Sequence, residues 1–303
     1  MFKKTALVAG IGLALSVTAQ ADYQWELDAG YARGTFDYDF RNIPGLGNEG
    51  DSVDADIFNI GGTYFLETVD TSKGPLGEAA FLDRASSLGL AFTDGTVQLD
   101  GRDDEDAQTY NADMRYIAEG PGWKLSGAIV DLGYQREEAG DAQVDSYDLG
   151  LGYYIFQNTT AVVNYQRIDV NDGPDADAWS LDLEQFWAFG NGGLKARASG
   201  GKTYLSDSQD DPTTWLLGGT WYLNNNIGFG ADYLQSDDDG FETQGFRVNA
   251  EWFITENFAV DLAYTDISPD DIDSPLSVLN PPIFGGKLEQ SYDEIGISAL
   301  YRF

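Results

Sequence analysis

From Asp22 to the C-terminal Phe303, apolar and polar residues alternate with period two, in segments of about ten residues. Tyr23, Trp25, Leu27, Ala29 and Tyr31 share one face, opposed by Gln24, Glu26, Asp28 and Gly30. Phe246, Val248, Ala250, Trp252 and Ile254 repeat the design against Arg247, Asn249 and Glu251. The last face is Ile295, Ile297, Ala299, Tyr301 and Phe303. Two segments are irregular. In the fifth, Trp123, Leu125, Gly127 and Ile129 share a parity that slips before Leu132 and Tyr134, which predicts a bulge. Trp215 to Leu223 is apolar on both faces, so its orientation is unreadable. The count is about fourteen strands, with twelve and sixteen the neighbouring even numbers. An even count is what a closed barrel with both termini on one side needs.

The connections support this independently. Glu119–Gly122, Gln157–Thr159, Gly190–Gly193, Asn224–Asn226 and Thr255–Asn257 are short turns rich in Asn, Gly or Pro. Longer acidic connectors alternate with them, such as 172–177, 207–211 and 237–240. Residues 34–52 and 266–289 read as the two longest loops. Residues 67–84 break the pattern on the short-turn side, and Glu78 to Arg84 there can form a helical turn. Aromatic residues gather near segment ends, among them Tyr153, Trp187 and Phe258, as at membrane–water interfaces. The fold expected is all-β: a transmembrane, antiparallel, up-and-down β-barrel. A soluble β-sandwich is the alternative, and it leaves the many inward acids unexplained.

Ahead of the first segment, Lys3 and Lys4 precede the apolar run Ala6–Val17 and then Ala19-Gln20-Ala21. That order reads as a cleaved signal peptide over residues 1–21, leaving the barrel in 22–303. The run is too short for a membrane-spanning helix. Removing Lys3 and Lys4 from the 17 basic residues leaves 15 against 51 acidic, a formal charge of −36. Such a surface repels nucleic acid. An aromatic content of 14% argues against disorder.

A signal peptide, alternating strands, Asn/Gly turns and a last strand ending Tyr301-Arg302-Phe303 together resemble Gram-negative outer-membrane porins. The segment GPLGEAAFLDRASSLGLAF, residues 74–92, is similar to one in the gammaproteobacterial "putative porin" families. The resemblance implies a cell outer membrane location and recognition of Phe303 by the barrel-assembly machinery. The sequence departs from the best-known trimeric porins in having fewer strands than their sixteen.

Catalytic chemistry finds little footing. The chain contains no histidine and no cysteine, which removes Ser-His-Asp arrangements and thiol nucleophiles. A transition-metal site would be all-carboxylate, a weak motif, so neither metal nor cofactor is expected. Asp182 and Glu184 are a carboxylate pair on one strand face, more simply read as lumen charges. Gly45-Leu-Gly-Asn-Glu-Gly50 fits G-x-G-x-x-G without a following helix. Asp237 to Asp239 misses the EF-hand spacing, which leaves weak calcium binding or bridging to lipopolysaccharide phosphates.

With apolar faces toward lipid, the lumen receives Glu26, Asp28, Asp113, Arg115, Lys124, Asp148, Asp182, Glu184, Lys195, Arg197, Asp232, Arg247, Glu251, Asp261 and Glu294. Fifteen charges cannot be buried dry without partners, so the interior should be wet. Ten are acidic, and a negative water-filled pore concentrates cations. The reading is a diffusion porin for small hydrophilic solutes, with outer-membrane lipids and lipopolysaccharide as surroundings. The two long loops are the candidate constrictions. Residues 266–289, unusually apolar, would pack inside or against a second copy in a homo-oligomer. The rival is a structural or adhesive barrel with a closed lumen and acidic surface loops.

Overall fold

The computed structural model describes residues 22–43, 47–98, 105–118, 120, 126–140, 142–171, 173–206, 211–238, 241–269 and 287–303. The 1–21 leader, Trp123, Lys124, Leu125 and most of the 266–289 loop therefore lie outside the described residues. Fourteen strands follow one another along the chain. They are β1 (Tyr23–Ile43), β2 (Gly47–Val69), β3 (Ser87–Gln98), β4 (Glu105–Ile117), β5 (Ala128–Ala139), β6 (Ala142–Phe156) and β7 (Thr159–Val170). The second half holds β8 (Ala176–Phe189), β9 (Gly192–Leu205), β10 (Thr213–Asn224), β11 (Ile227–Asp238), β12 (Phe241–Thr255), β13 (Phe258–Pro269) and β14 (Lys287–Arg302).

Each strand pairs antiparallel with its sequence neighbours, and β1 pairs β14 from Glu26↔Arg302 to Arg41↔Lys287, closing the barrel. The expected up-and-down barrel of fourteen strands is what forms. Two-residue turns join β6 to β7, β8 to β9, β10 to β11 and β12 to β13. Register shifts at Tyr154/Phe156, Tyr222/Asn224 and Phe253/Thr255 add local twist just before three of them. In the 225–226 turn, the Asn224 side chain accepts from the amides of Asn226 and Ile227. That is the local reason for asparagine there.

The alternation of the sequence becomes an outside and an inside. Leu90, Leu151, Trp179, Leu217, Trp252, Leu262 and Ile295 stay exposed on the outer surface, as lipid contact requires. β10 is now oriented: Trp215, Leu217, Trp221 and Leu223 are exposed, while Tyr222 is buried inside.

Three expectations change. Residues 34–52 are a continuation of the β1–β2 hairpin to Ile43 and Gly47, with backbone pairing in place of a free loop. Ile129 turns inward and is 2% exposed, on the face of Asp131 and opposite to that of Leu132, so it does not belong to the lipid-facing set. The β4–β5 register runs unbroken from Ile117↔Ile129 to Ala107↔Ala139, and the expected bulge lies just before it, where Gly127 (φ 92°) donates to the Ala118 carbonyl and Ala118 donates to the Ala128 carbonyl, two residues against one. Tyr23 also turns inward, because the β1–β2 register shifts between Tyr23 and Trp25.

Because the faces are set by strand parity, charge is tolerated on one and not on the other. Ile297→Lys, on the lipid face of β14, should cost about 2–4 kcal/mol if the site lies near the bilayer midplane. Ser298→Lys, the next residue and inward, should cost far less. Urea unfolding from phospholipid vesicles measures both; equal losses would refute the assignment of faces.

Candidate functional site: a strap across the short-turn mouth

The exceptional connection, between β2 and β3, does not hang outside the barrel. Its local fold is set by a few side chains. Asp70 accepts from the Ser72 amide at 2.9 Å, and the Asp83 carboxylate accepts from the Asp70 amide at 2.8 Å and pairs with Lys73. Ser72 hydrogen bonding holds the Asp70 carboxyl below its usual range. Pro75 leads into a 3-10 turn at Leu76–Glu78, which runs into α1 (Ala79–Asp83). Arg84, at φ 58°, ends the helix in the left-handed conformation. The helical turn expected between Glu78 and Arg84 is thus present.

This strap lies against the inner wall on several sides. The Leu76 amide donates to the Asn225 carbonyl at 2.8 Å. Asn225 is in the β10–β11 turn, half-way round the ring from β3. Arg302 donates to the Leu76 carbonyl at 2.9 Å and to Glu26 at 2.7 Å, with its guanidinium between the Tyr23 and Phe253 rings. Glu78 accepts from the Tyr222 hydroxyl at 2.8 Å and pairs with Lys195 at 3.0 Å; Lys195 also reaches Glu184 at 3.5 Å. Tyr154 donates to the Phe81 carbonyl, and Arg84 stacks on Tyr154 while donating to the Gln157 carbonyl.

Three small apolar clusters complete the seat. Ala79 and Ala85 join Tyr23, Phe65 and Val69; Phe81 packs on Ile117, Ile129, Tyr154 and Val162; Leu76 packs on Phe253 and Ala259. At Gly77 the fit leaves no room for a side chain, since a Cβ would overlap the Glu251 carboxylate and sit 2.8 Å from the Tyr222 hydroxyl. The Glu251 Oε1 atom is buried there without a hydrogen-bond partner.

Beyond the strap the inner wall carries a belt of carboxylates, three to eight residues along their strands from the short-turn end. Asp131 takes a two-point bond from Arg115 at 2.8 Å, and Arg197 crosses β10 to reach Asp232 at 2.7 Å. Neutral donors meet others: Asn59 on Asp28 at 3.3 Å, Asn249 on Asp261 at 2.8 Å, and Asn164 and Ser199 on Asp182. Asp113 and Asp148 lie along the same belt, opposite Gly89 and Gly133. A wall pocket of about 140 Å³ is lined by Arg115, Thr160, Asp182, Glu184, Arg197 and Ser199.

Of the residues singled out from sequence, the strap gathers Glu26, Glu184, Lys195 and Glu251. Asp28, Asp113, Arg115, Asp148, Asp182, Arg197, Asp232 and Asp261 stay on the wall. Arg247 stands opposite Asp232 on β12, and Glu294 accepts from Tyr292 nearer the other end. Sequence reasoning missed Glu78, Tyr154, Tyr222 and Asp131 as site residues. The irregular 67–84 turn and the doubly apolar 215–223 segment were the available signals for Glu78 and Tyr222.

A family model described as "Putative general bacterial porin" matches residues 18–186, more than half of the chain. The chain belongs to that porin family. It is an outer-membrane channel protein, and its short turns therefore mark the periplasmic end. Among solved structures the porin is similar to the Acinetobacter baumannii outer membrane protein Omp33, at 19% identity and a TM-score of 0.57, over 94% of this chain and 100% of that one. A Pseudomonas aeruginosa FadL homologue aligns at 12% identity and a TM-score of 0.45, over 92% and 90%. The likeness to Omp33 concerns the fold. No curated protein sequence matches the chain.

Burial pushes the Glu78 carboxyl above its ordinary 4.5, against the pull of Lys195 and the Tyr222 hydroxyl. The docked strap therefore holds the proton more tightly than a released strap would. This contribution to docking is complete below about 4.5 and is lost as pH rises through the docked value. Open time in single-channel recordings should accordingly increase as pH rises above about 4.5, and Glu78→Gln should flatten that dependence. An undiminished pH response in the variant would place the titrating group elsewhere. Gly77→Val, which cannot seat, should raise open time at every pH.

Proposed function

We propose that this porin is a gated channel for small hydrophilic solutes, with cations favoured and the 70–86 strap as its periplasmic gate. The observation that carries the reading is the carboxylate belt beside the strap. Asp28, Asp113, Asp148, Asp182 and Asp261 have no ion-pair partner among the described residues. Carboxylates held in place by neutral donors keep their charge uncompensated, and negative potential focused in a narrow aqueous passage concentrates cations. The strap supports gating because part of its hold is polar and reversible: a lysine, a tyrosine and an arginine against one carboxylate and one carbonyl.

We read the protein as a passive channel and not an enzyme, since neither histidine nor cysteine is available for acid–base or thiol chemistry. Export with loss of residues 1–21, and lipid and lipopolysaccharide contact around the outer face, belong to the same proposal. The strapped mouth also suits the rival reading, a structural barrel that does not conduct.

Planar-bilayer recording under a salt gradient separates the two. Ohmic openings with a cation-directed reversal potential support the channel, and a bilayer that stays silent even with Gly77→Val supports the structural barrel. Asp28→Asn, Asp182→Asn and Asp261→Asn combined should move the reversal potential toward zero. An unchanged potential would remove these residues from the selectivity mechanism.

A further inference from the structure

The inner wall pairs its acidic and amide side chains with glycines in a repeated way. Asp28 stands directly opposite Gly61, Asp113 opposite Gly89, and Asp232 opposite Gly218. Asn59, Asn164 and Asn249 likewise face Gly30, Gly150 and Gly230. In each pair the polar side chain lies flat over the glycine. A Cβ built on Gly61 would stand 2.5 Å from the Asp28 carboxylate, one on Gly150 2.5 Å from the Asn164 amide oxygen, and the other four would overlap their partners.

Backbone conformation does not ask for glycine at these positions. Among the described residues the glycines with positive φ are Gly120, Gly127, Gly140 and Gly190, and none of the six is among them. What the six supply is room. Directly opposite residues of an antiparallel pair have Cβ atoms only about 5 Å apart, so two side chains there stand up from the sheet together. Remove one, and the other can fold sideways along the wall. Once flat, these headgroups reach lateral donors: Asn59 bonds Asp28, Asn249 bonds Asp261, and Arg197 reaches Asp232 across Gly218.

We infer that these wall glycines set the bore of the porin: by letting the carboxylates lie flat, they keep the charge at the wall and the axis open for organic cations bulkier than metal ions. The inference rests on the channel reading, and it concerns size selection, which that reading leaves open. Charge sign comes from the carboxylates. Width comes from the glycines opposite them.

The test compares Gly89→Ala with Gly95→Ala in planar bilayers. Gly95 is also inward on β3, but a Cβ there meets only the Ala107 carbonyl at 3.7 Å, so it controls for the added methyl itself. Gly89→Ala should push Asp113 toward the axis, with loss of open-state conductance and loss of permeability to tetraalkylammonium ions before potassium. Cation preference should be kept. Gly95→Ala should resemble wild type, and Gly89→Ala with Asp113→Ala should regain the wild-type conductance and size limit. If Gly89→Ala conducts like wild type, or the double variant fails to recover, the bore assignment is wrong while the channel stands. If wild type and Gly77→Val are both silent, the channel reading fails and this inference falls with it.

Discussion

Hydrocarbon offers no hydrogen-bond partner, so each peptide group crossing it must be satisfied within the protein, and strands meet that demand only as a sheet without edges. The β1–β14 seam is where this chain meets it. Sixteen consecutive pairings join the first strand to the last, and the carbonyl of Phe303 accepts from both Gln24 and Trp25. Once the seam is closed, period two becomes a choice between lipid and lumen at every residue. The charge excess of the chain can then go inward or onto the loops, but not onto the membrane face.

A lumen made this way is a polar place, and the strap must dock in it with the groups a polar wall provides. Its apolar residues find only small clusters at the periplasmic end, one around Tyr23, one around Tyr154 and one around Phe253. Between them sits Glu78, buried and paired with Lys195. Desolvating such a pair offsets much of its attraction, whereas removing one partner strands the other at a cost of about 3–5 kcal/mol. The pair therefore fixes where the strap sits more than it adds to how firmly it sits. Arg302 does similar work on the opposite side, joining β14, Glu26 and the Leu76 carbonyl.

This division explains what was legible in the sequence. Strand number, the outer face and most inward charges follow from alternation alone, because parity is local. The alternation misleads at Tyr23 and Ile129 and falls silent at Tyr222, and all three are seat residues of the strap. An inward aromatic or aliphatic residue breaks the rule that lumen positions are polar, and it does so where something apolar must be received. Glu78 and its partners were not legible for a different reason. Tyr222 and Lys195 lie more than a hundred residues along the chain from Glu78, and only the closure of the ring sets them side by side.

Barrel size makes both devices consequential. Eight strands enclose a space that side chains fill, and sixteen or more leave an aqueous channel; fourteen lies between, where the inner side chains decide the outcome. Along the wall, glycines opposite Asp28, Asp113 and Asp232 give space back to the lumen. At the periplasmic mouth the strap takes that space away, down to the missing side chain of Gly77 against Glu251. The same residue type thus serves opposite ends. On the wall it lets charged side chains lie aside, and on the strap it lets a backbone press against Glu251 and Tyr222. On the gating proposal, whether the porin is open depends on one connection of seventeen residues, Asp70 to Ser86, and not on the barrel that carries it.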